Sequence, residues 1–372
     1  MSNPFAGPSS GIAACLYATD KTFTVSSMNP AEPIPIHGLT QEALVTCWSG
    51  LGLPAFRARQ VWSWLYVHNA QDWNAMTNLP ENLRNRLAEK FTLFRLTPAG
   101  TAGDPGRTCK LLLRLADNEH IEAVVIPAGK RLTVCVSTQV GCRWHCAFCA
   151  SGQKGVIRSL EPDEIVGQFT QAWRIAGVKP THVVFMGIGE PFDNYDAVLT
   201  AVRILNDADG VNLAARRITI STAGVVPGIE RLAGEGLQVE LSVSLHAPND
   251  TLRSRLMPIN RRWPLDQLLA ACRAYTEQTG RIITFEYTLI GGVNDSESCA
   301  RELARLLSTL SCRVNLIPLS AVDEYSGRPA SRSTAGSFIR ILKRKGVNAT
   351  LRASRGGGVE AACGQLRARI VR

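Results

Sequence analysis

Between Leu132 and Lys345 short apolar runs alternate with longer helical patterns, and the alternation repeats six times. The predicted strands are Leu132–Ser137, His182–Met186, Ile218–Ser221, Val239–Ser244, Ile283–Leu289 and Val314–Pro318. Helical patterns follow or separate them at Pro162–Ala176, Ala197–Asn206, Ile229–Glu235, Leu265–Thr279, Ser296–Leu310 and Ala335–Lys345. Strands spaced by helices pair in parallel, with the helices outside the sheet. Six units are too few to close an eight-stranded barrel, so the fold class is α/β with a partial, open (βα)6 barrel. Chemistry in such architectures sits at the carboxyl ends of the strands. The residues just after each strand are therefore the functional candidates.

The flanking segments read differently. Residues 1–35 are rich in Pro, Ser and Ala without periodicity, which predicts a mobile leader. Residues 36–95 carry helical patterns: Thr40 is placed to cap a helix through Leu44 and Trp48, Pro54 opens a second, and Leu79-Pro80-Glu81 a third. Trp48, Trp62, Trp64 and Trp73 fall here, suited to a small helical core, with Arg57 and Arg59 as candidate RNA contacts. Residues 96–131 hold two alternating segments, Leu111–Leu115 and Ile121–Ile126, around Asp117-Asn118, which predicts a hairpin extension. The barrel is assigned 132–350, and 351–372 form a C-terminal segment.

The first barrel strand runs into Cys142-Arg143-Trp144-His145-Cys146-Ala147-Phe148-Cys149, a C-x3-C-x2-C triplet. Three thiolates on one tight loop hold three corners of a 4Fe–4S cluster and leave the fourth iron open to a chelating substrate. S-adenosylmethionine is the candidate, since its reductive cleavage gives a 5′-deoxyadenosyl radical. A structural zinc loop is the alternative, but it needs four ligands, commonly in paired arms. His145 abuts Cys146, and no second C-x2-C follows. Of the eleven cysteines, Cys15, Cys47, Cys109, Cys272, Cys299 and Cys312 are scattered and read as small packing or surface residues.

After the second strand comes Met186-Gly187-Ile188-Gly189-Glu190-Pro191, where glycines permit close backbone approach and Glu190 suits the ammonium of a bound amino acid. The third strand ends in Ser221-Thr222-Ala223-Gly224 and the fourth in Ser244-Leu245-His246-Ala247-Pro248-Asn249-Asp250. Hydroxyls and an imidazole at those edges suit a ribose and an adenine; each alone would also serve as a helix cap or turn residue.

Together with Asn315-Leu316-Ile317-Pro318 and Ala362-Cys363-Gly364-Gln365-Leu366, these motifs closely resemble the radical SAM RNA methyltransferases of the RlmN/Cfr family, from about Leu39 to Leu366. The resemblance implies methylation of an adenosine at C2 or C8 in 23S ribosomal RNA, and for some C2 enzymes also tRNA. It implies a 4Fe–4S cluster on Cys142, Cys146 and Cys149, and S-adenosylmethionine held by Gly189, Glu190, Ser221, Ser244, Leu245, His246 and the position of Ser320. It further implies that Cys363 carries the methyl group as a thioether and that Cys135 attacks its sulfur to release product with a disulfide. Glu122 sits where the family's patterns place a proton acceptor, and Cys135 competes for that step. Arg355-Gly356-Gly357-Gly358 reads as a hinge for the Cys363 segment. Two departures stand out: Ser320 and Ser159 occupy positions where the family usually has asparagine.

The net charge of +10 suits a polyanionic partner. Nine basic residues against Glu360 lie between Arg340 and Arg372. RNA is thus the expected partner, with an electron donor such as flavodoxin or ferredoxin implied by the family, in a cytoplasmic monomer. No run approaches the ~18–20 apolar residues of a membrane span, and Met1 to Ser10 lack the features of a secretion signal. A small-molecule or glycyl-activating radical enzyme would explain the cysteine triplet but not Cys135 and Cys363. A non-catalytic, metal-stapled RNA-binding module would hold zinc and cleave no cofactor.

Overall fold

The computed structural model describes residues 33–104, 106–352 and 360–366. The leader up to residue 32 and the predicted hinge at 355–358 lie outside them. The chain divides into two compact units. One takes in the described residues up to Leu96 with Glu161–Thr170 and Asp196–Leu213; the other holds Thr97–Leu160, Gln171–Tyr195 and the chain from Ala214 onward.

The first unit contains the three predicted helices, α1 (Gln41–Gly50), α2 (Ala55–Tyr66) and α3 (Glu81–Lys90). The Thr40 hydroxyl accepts from the Ala43 amide at 3.2 Å, so the expected cap forms. Trp48 and Trp62 are fully buried, Trp48 against Phe91 at 4.9 Å and Trp62 against Tyr66 at 4.5 Å. Trp62 also donates its indole N–H to Asp207 at 3.0 Å. Trp64 and Trp73 are half-buried, so only two of the four tryptophans build the core. His37 is buried between Tyr66 and Phe94, and Arg95 donates to Asp163 at 2.7 Å.

The second unit is built on a ten-stranded sheet whose order is the order of the chain. Three antiparallel strands, β1 (Thr97–Gly103), β2 (Cys109–Arg114) and β3 (His120–Ala128), lead into β4 (Arg131–Cys135). From β4 on every pairing is parallel: β5 (His182–Phe185), β6 (Ile218–Thr222), β7 (Glu240–Ser244), β8 (Ile283–Leu289), β9 (Cys312–Pro318) and β10 (Asn348–Leu351). The expected hairpin is therefore continuous with the barrel sheet and gains a third strand. The six predicted parallel strands gain a seventh at the far edge. Helices α4 (Pro162–Ala176), α5 (Tyr195–Asn206), α6 (Val226–Ala233), α7 (Asp250–Leu256), α8 (Leu265–Thr279), α9 (Glu297–Leu307) and α10 (Arg332–Arg344) form the crossovers. Caps set three of their starts: Asn249, Ser296 and Ser331 each accept from the amide three residues on. All seven residues of β8 are buried, as a central parallel strand requires. No helix among the described residues is long and apolar enough to cross a membrane.

Candidate active site

A cavity of about 960 Å³, counting its open mouth, lies at the carboxyl ends of the parallel strands. Cys142, Cys146 and Cys149 form one wall. Their loop leaves a short hairpin, Gln139–Gly141 paired with Val156–Ser159. Gly141 has φ +79°, and a Cβ there would stand 2.0 Å from the Gly155 carbonyl oxygen, so only glycine fits. The loop is tied down where the Ala147 amide donates to the Leu256 carbonyl at 2.9 Å. Burial pushes the Cys142 thiol up to about 12, and those of Cys146 and Cys149 upward as well.

Gly189, Glu190, Ser221, Ser244, His246 and Ser320 also line this cavity. Leu245 does not; it is fully buried behind the wall, its amide donating to the Glu286 carbonyl at 3.0 Å. The Glu190 carboxylate accepts from the amides of Phe192 (3.0 Å) and Ala223 (2.7 Å), which aim it. Burial still raises it to about 7. His246, in the left-handed region at φ +56°, accepts at Nδ1 from the Thr288 amide at 2.8 Å. The neutral ring therefore carries its proton on Nε2. Burial, then Arg253, lowers its pKa to about 3.

Sequence reading missed Arg253. Fully buried, it donates to the carbonyls of Ala223 (2.7 Å), Ser244 (3.0 Å) and Leu245 (3.2 Å) and to Asn260 Oδ1 (2.9 Å). It thus fastens the loops after β6 and β7 together beneath the cavity. Nothing in Asp-Thr-Leu-Arg signals this, because its partners converge only in the fold. Glu286 was missed too, although a carboxylate inside the apolar strand Ile-Thr-Phe-Glu-Tyr-Thr-Leu is a signal in itself.

The segment 360–366 closes the other side. The Ala150 amide donates to the Gly364 carbonyl at 2.8 Å, and Ser151 Oγ donates to the Leu366 carbonyl at 2.7 Å. Gly364, at φ +85°, lies so close to the cysteine loop that a Cβ would stand 3.1 Å from the Phe148 oxygen. Cys363 is thereby presented to the cofactor cavity and also lines a smaller one, shared with Cys135. Both are free thiols here, so the disulfide implied by the family is not formed in this state. Burial and the neighbouring Cys363 raise Cys135 to about 12, while Arg352 opposes the shift.

Glu122 lines neither cavity. It is fully buried and paired with Lys110 at 2.9 Å, and Lys110 also donates to the Glu360 carbonyl at 3.4 Å. The pair ties β2 and β3 to the Cys363 segment. Ser159 stands outside the cavity and accepts from Gln139 Nε2 at 3.3 Å, whereas Ser320 faces both cavities.

The site suits the groups the sequence implied. Three half-buried thiols with raised proton affinity become thiolates against a strongly positive centre. A closed zinc site needs four ligands, and the triplet loop supplies three cysteines. The thiols instead edge a large cavity, as a cluster with an open corner requires. Glu190 opposite them offers a carboxylate to an ammonium, and His246 an N–H to an acceptor.

Comparison with known proteins places the chain in a family. Residues 136–304 match the radical SAM superfamily, and residues 34–93 match the ribosomal RNA large subunit methyltransferase N-terminal domain. A probable dual-specificity RNA methyltransferase RlmN from Symbiobacterium thermophilum is 47% identical over 346 residues, covering 91% of this chain and 92% of the relative. One from Geobacillus kaustophilus is 45% identical over 341 residues, covering 91% and 93%. A crystal structure of a radical SAM methyltransferase from Sphaerobacter thermophilus superposes with a TM-score of 0.88 at 50% identity, covering 91% of this chain and all of that one.

Proposed function

The chain belongs to the RlmN family of radical SAM RNA methyltransferases, and we propose that it methylates C2 of an adenosine in 23S ribosomal RNA and in tRNA through a methyl group carried on Cys363. The observation that carries this reading is the sharing of one small cavity by Cys135 and Cys363, with Cys363 also facing the cofactor cavity. A generic radical enzyme has no use for two thiols in that arrangement.

Cys142, Cys146 and Cys149 would hold a 4Fe–4S cluster. Glu190 would pair with the ammonium of S-adenosylmethionine, while Ser221, Ser244 and His246 would bind its nucleoside end. Bound together, cluster and cofactor supply a 5′-deoxyadenosyl radical. The adenine ring is electron-poor at C2, so a methyl group cannot simply be displaced onto it. Cys363 offers the detour: its sulfur, first methylated by one S-adenosylmethionine, would carry the one-carbon unit to the ring, and Cys135 would then attack that sulfur, forming the Cys135–Cys363 disulfide as the sulfur–carbon bond breaks and the freed carbon takes a proton. Arg352, which lines both cavities, favours the attacking thiolate. The ring proton must leave before release. Glu122 is locked to Lys110 away from both cavities, which favours the Cys135 thiolate as acceptor; it would then pass that proton to solvent before attacking the Cys363 sulfur. Electrons would come from a flavodoxin or ferredoxin, and the enzyme would work in the cytoplasm as a monomer.

The test is a pair of variants that must fail differently. Cys363→Ala should acquire no methyl group and form no link to RNA. Cys135→Ala should load Cys363, attack the base and stall, accumulating protein covalently bound to RNA and released by nuclease on a denaturing gel. Product formation by Cys363→Ala would refute the route, and mass spectrometry of the methylated nucleoside distinguishes C2 from C8.

A further inference from the structure

The cofactor cavity continues into a second one, toward the amino ends of the strands, and Met186, Glu286 and Arg352 line both. This lower cavity has about 1500 Å³ of free space, counting its open mouth. Parallel barrels usually fill that region with bulky branched side chains. Here strand after strand turns a hydroxyl inward: Thr133 on β4, Thr219 on β6, Ser242 on β7, Thr284 on β8 and Thr350 on β10. Arg131, Arg216 and Arg313 stand among its lining residues with Glu240, which pairs with Arg313 at 2.8 Å. A hydroxyl-lined passage that shares Met186, Glu286 and Arg352 with the catalytic cavity matches a ribose-phosphate chain better than it matches a packed core.

Glu286 stands where the two cavities meet. It is only 4% exposed. Its Oε1 accepts from Asn315 Nδ2 at 3.1 Å, and Asn315 Oδ1 in turn accepts from the Thr350 hydroxyl at 2.9 Å, which fixes the orientation of the amide. Its Oε2 has no hydrogen-bond partner among the described residues. A buried carboxylate oxygen without a donor costs free energy that folding alone does not recover. Burial raises the carboxyl's proton affinity, and Arg352 and the Asn315 amide oppose the shift.

We propose that Glu286 reads the exocyclic amino group of the target base, with the nucleotide seated across the junction and its N6 amine donating to the unpartnered oxygen. The proposal rests on the reading above, in which an adenosine of RNA is the substrate. Cys363 lines the same upper cavity, so a base anchored by its amine at Glu286 presents a ring edge toward the thiol. Recognition of an extruded base through its pairing edge is the general solution for enzymes that modify bases.

The test uses the cluster-loaded enzyme and the RNA hairpin that it methylates, synthesised with adenosine, purine riboside or inosine at the target position. The wild type should bind adenosine at least about tenfold more tightly than purine riboside, which lacks the amine. Inosine should be worse again, since its carbonyl faces the carboxylate. Glu286→Ala should bind adenosine and purine riboside equally. Glu286→Gln, which keeps the shape should the alanine variant fail to fold, offers an N–H and should shift the inosine-to-adenosine ratio about tenfold toward inosine. A wild type indifferent to the amine overturns the proposal. So does a glutamine variant with the wild-type ranking, or one that loses cofactor affinity while keeping that ranking. If the wild type methylates no RNA, the parent reading falls; if it does and the rankings do not move, only the role of Glu286 is lost.

Discussion

Arg253 shows how far one side chain can organise a site. Four acceptors, two of them fully buried, depend on its guanidinium, and burial lowers its pKa only to about 10, so it stays charged at neutral pH. Arg253→Met fills similar space but leaves those acceptors without a donor, at about 1–3 kcal/mol for each that water cannot reach. Denaturant titration should show a loss of at least about 2 kcal/mol, with weakened S-adenosylmethionine binding measured alongside. A midpoint within error of the wild type would mean that water replaces the arginine. The cysteine triplet makes an independent prediction: anaerobic reconstitution should yield about four irons per chain. Alanine at Cys142, Cys146 or Cys149 should abolish cofactor cleavage, and full iron content in the triple variant would exclude the assignment.

At the scale of elements, most of what the chain folds into was legible and the exceptions have physical causes. Parallel strands buried on both faces read as apolar runs, which is why β4 to β9 were found to within a few residues. The strand β1 was not, because Thr-Pro-Ala-Gly-Thr-Ala-Gly reads as a loop; it is an exposed edge strand with a register shift between Pro98 and Gly100, where proline and glycine are tolerated. β10 escaped for a related reason, since only Ala349 of its four residues is buried. The cysteine loop was legible from spacing, whereas Arg253 and Glu286 matter through partners far away in sequence. Two elements carry predictions of their own. Gly141→Ala should displace the cysteine loop from its hairpin and lower iron loading, seen in the cluster's absorbance after reconstitution. In the helical unit, burial holds the His37 pKa at about 4 against an ordinary 6.5. Below pH 6.5 the unfolded chain takes a proton that the folded chain refuses, so stability falls as pH drops from about 6.5 to 4, by at most about 3 kcal/mol. His37→Phe lacks that proton site. Its denaturation midpoint, lower than the wild type's at pH 7, should close the gap as the pH falls.

For the whole molecule, the charge of +10 predicts that phosphate contacts dominate RNA affinity. Filter binding between 50 and 200 mM salt should show a fall of at least about tenfold; a flat response would assign recognition to apolar and base contacts instead. The order of the sheet has a different consequence, which concerns time. Because the ten strands are arranged as they occur along the chain, a ribosome can deliver each one next to a neighbour that is already in place. The residues for cluster and cofactor are complete when β8 and β9 have emerged. Cys363, the thiol proposed to receive the methyl group, comes only after β10, on a segment held by a few hydrogen bonds to the cysteine loop. A chain cut short just after β10 would therefore keep the apparatus that breaks the cofactor and lack the sulfur that makes the break useful. Faulty termination would leave a futile consumer of S-adenosylmethionine rather than an inert fragment.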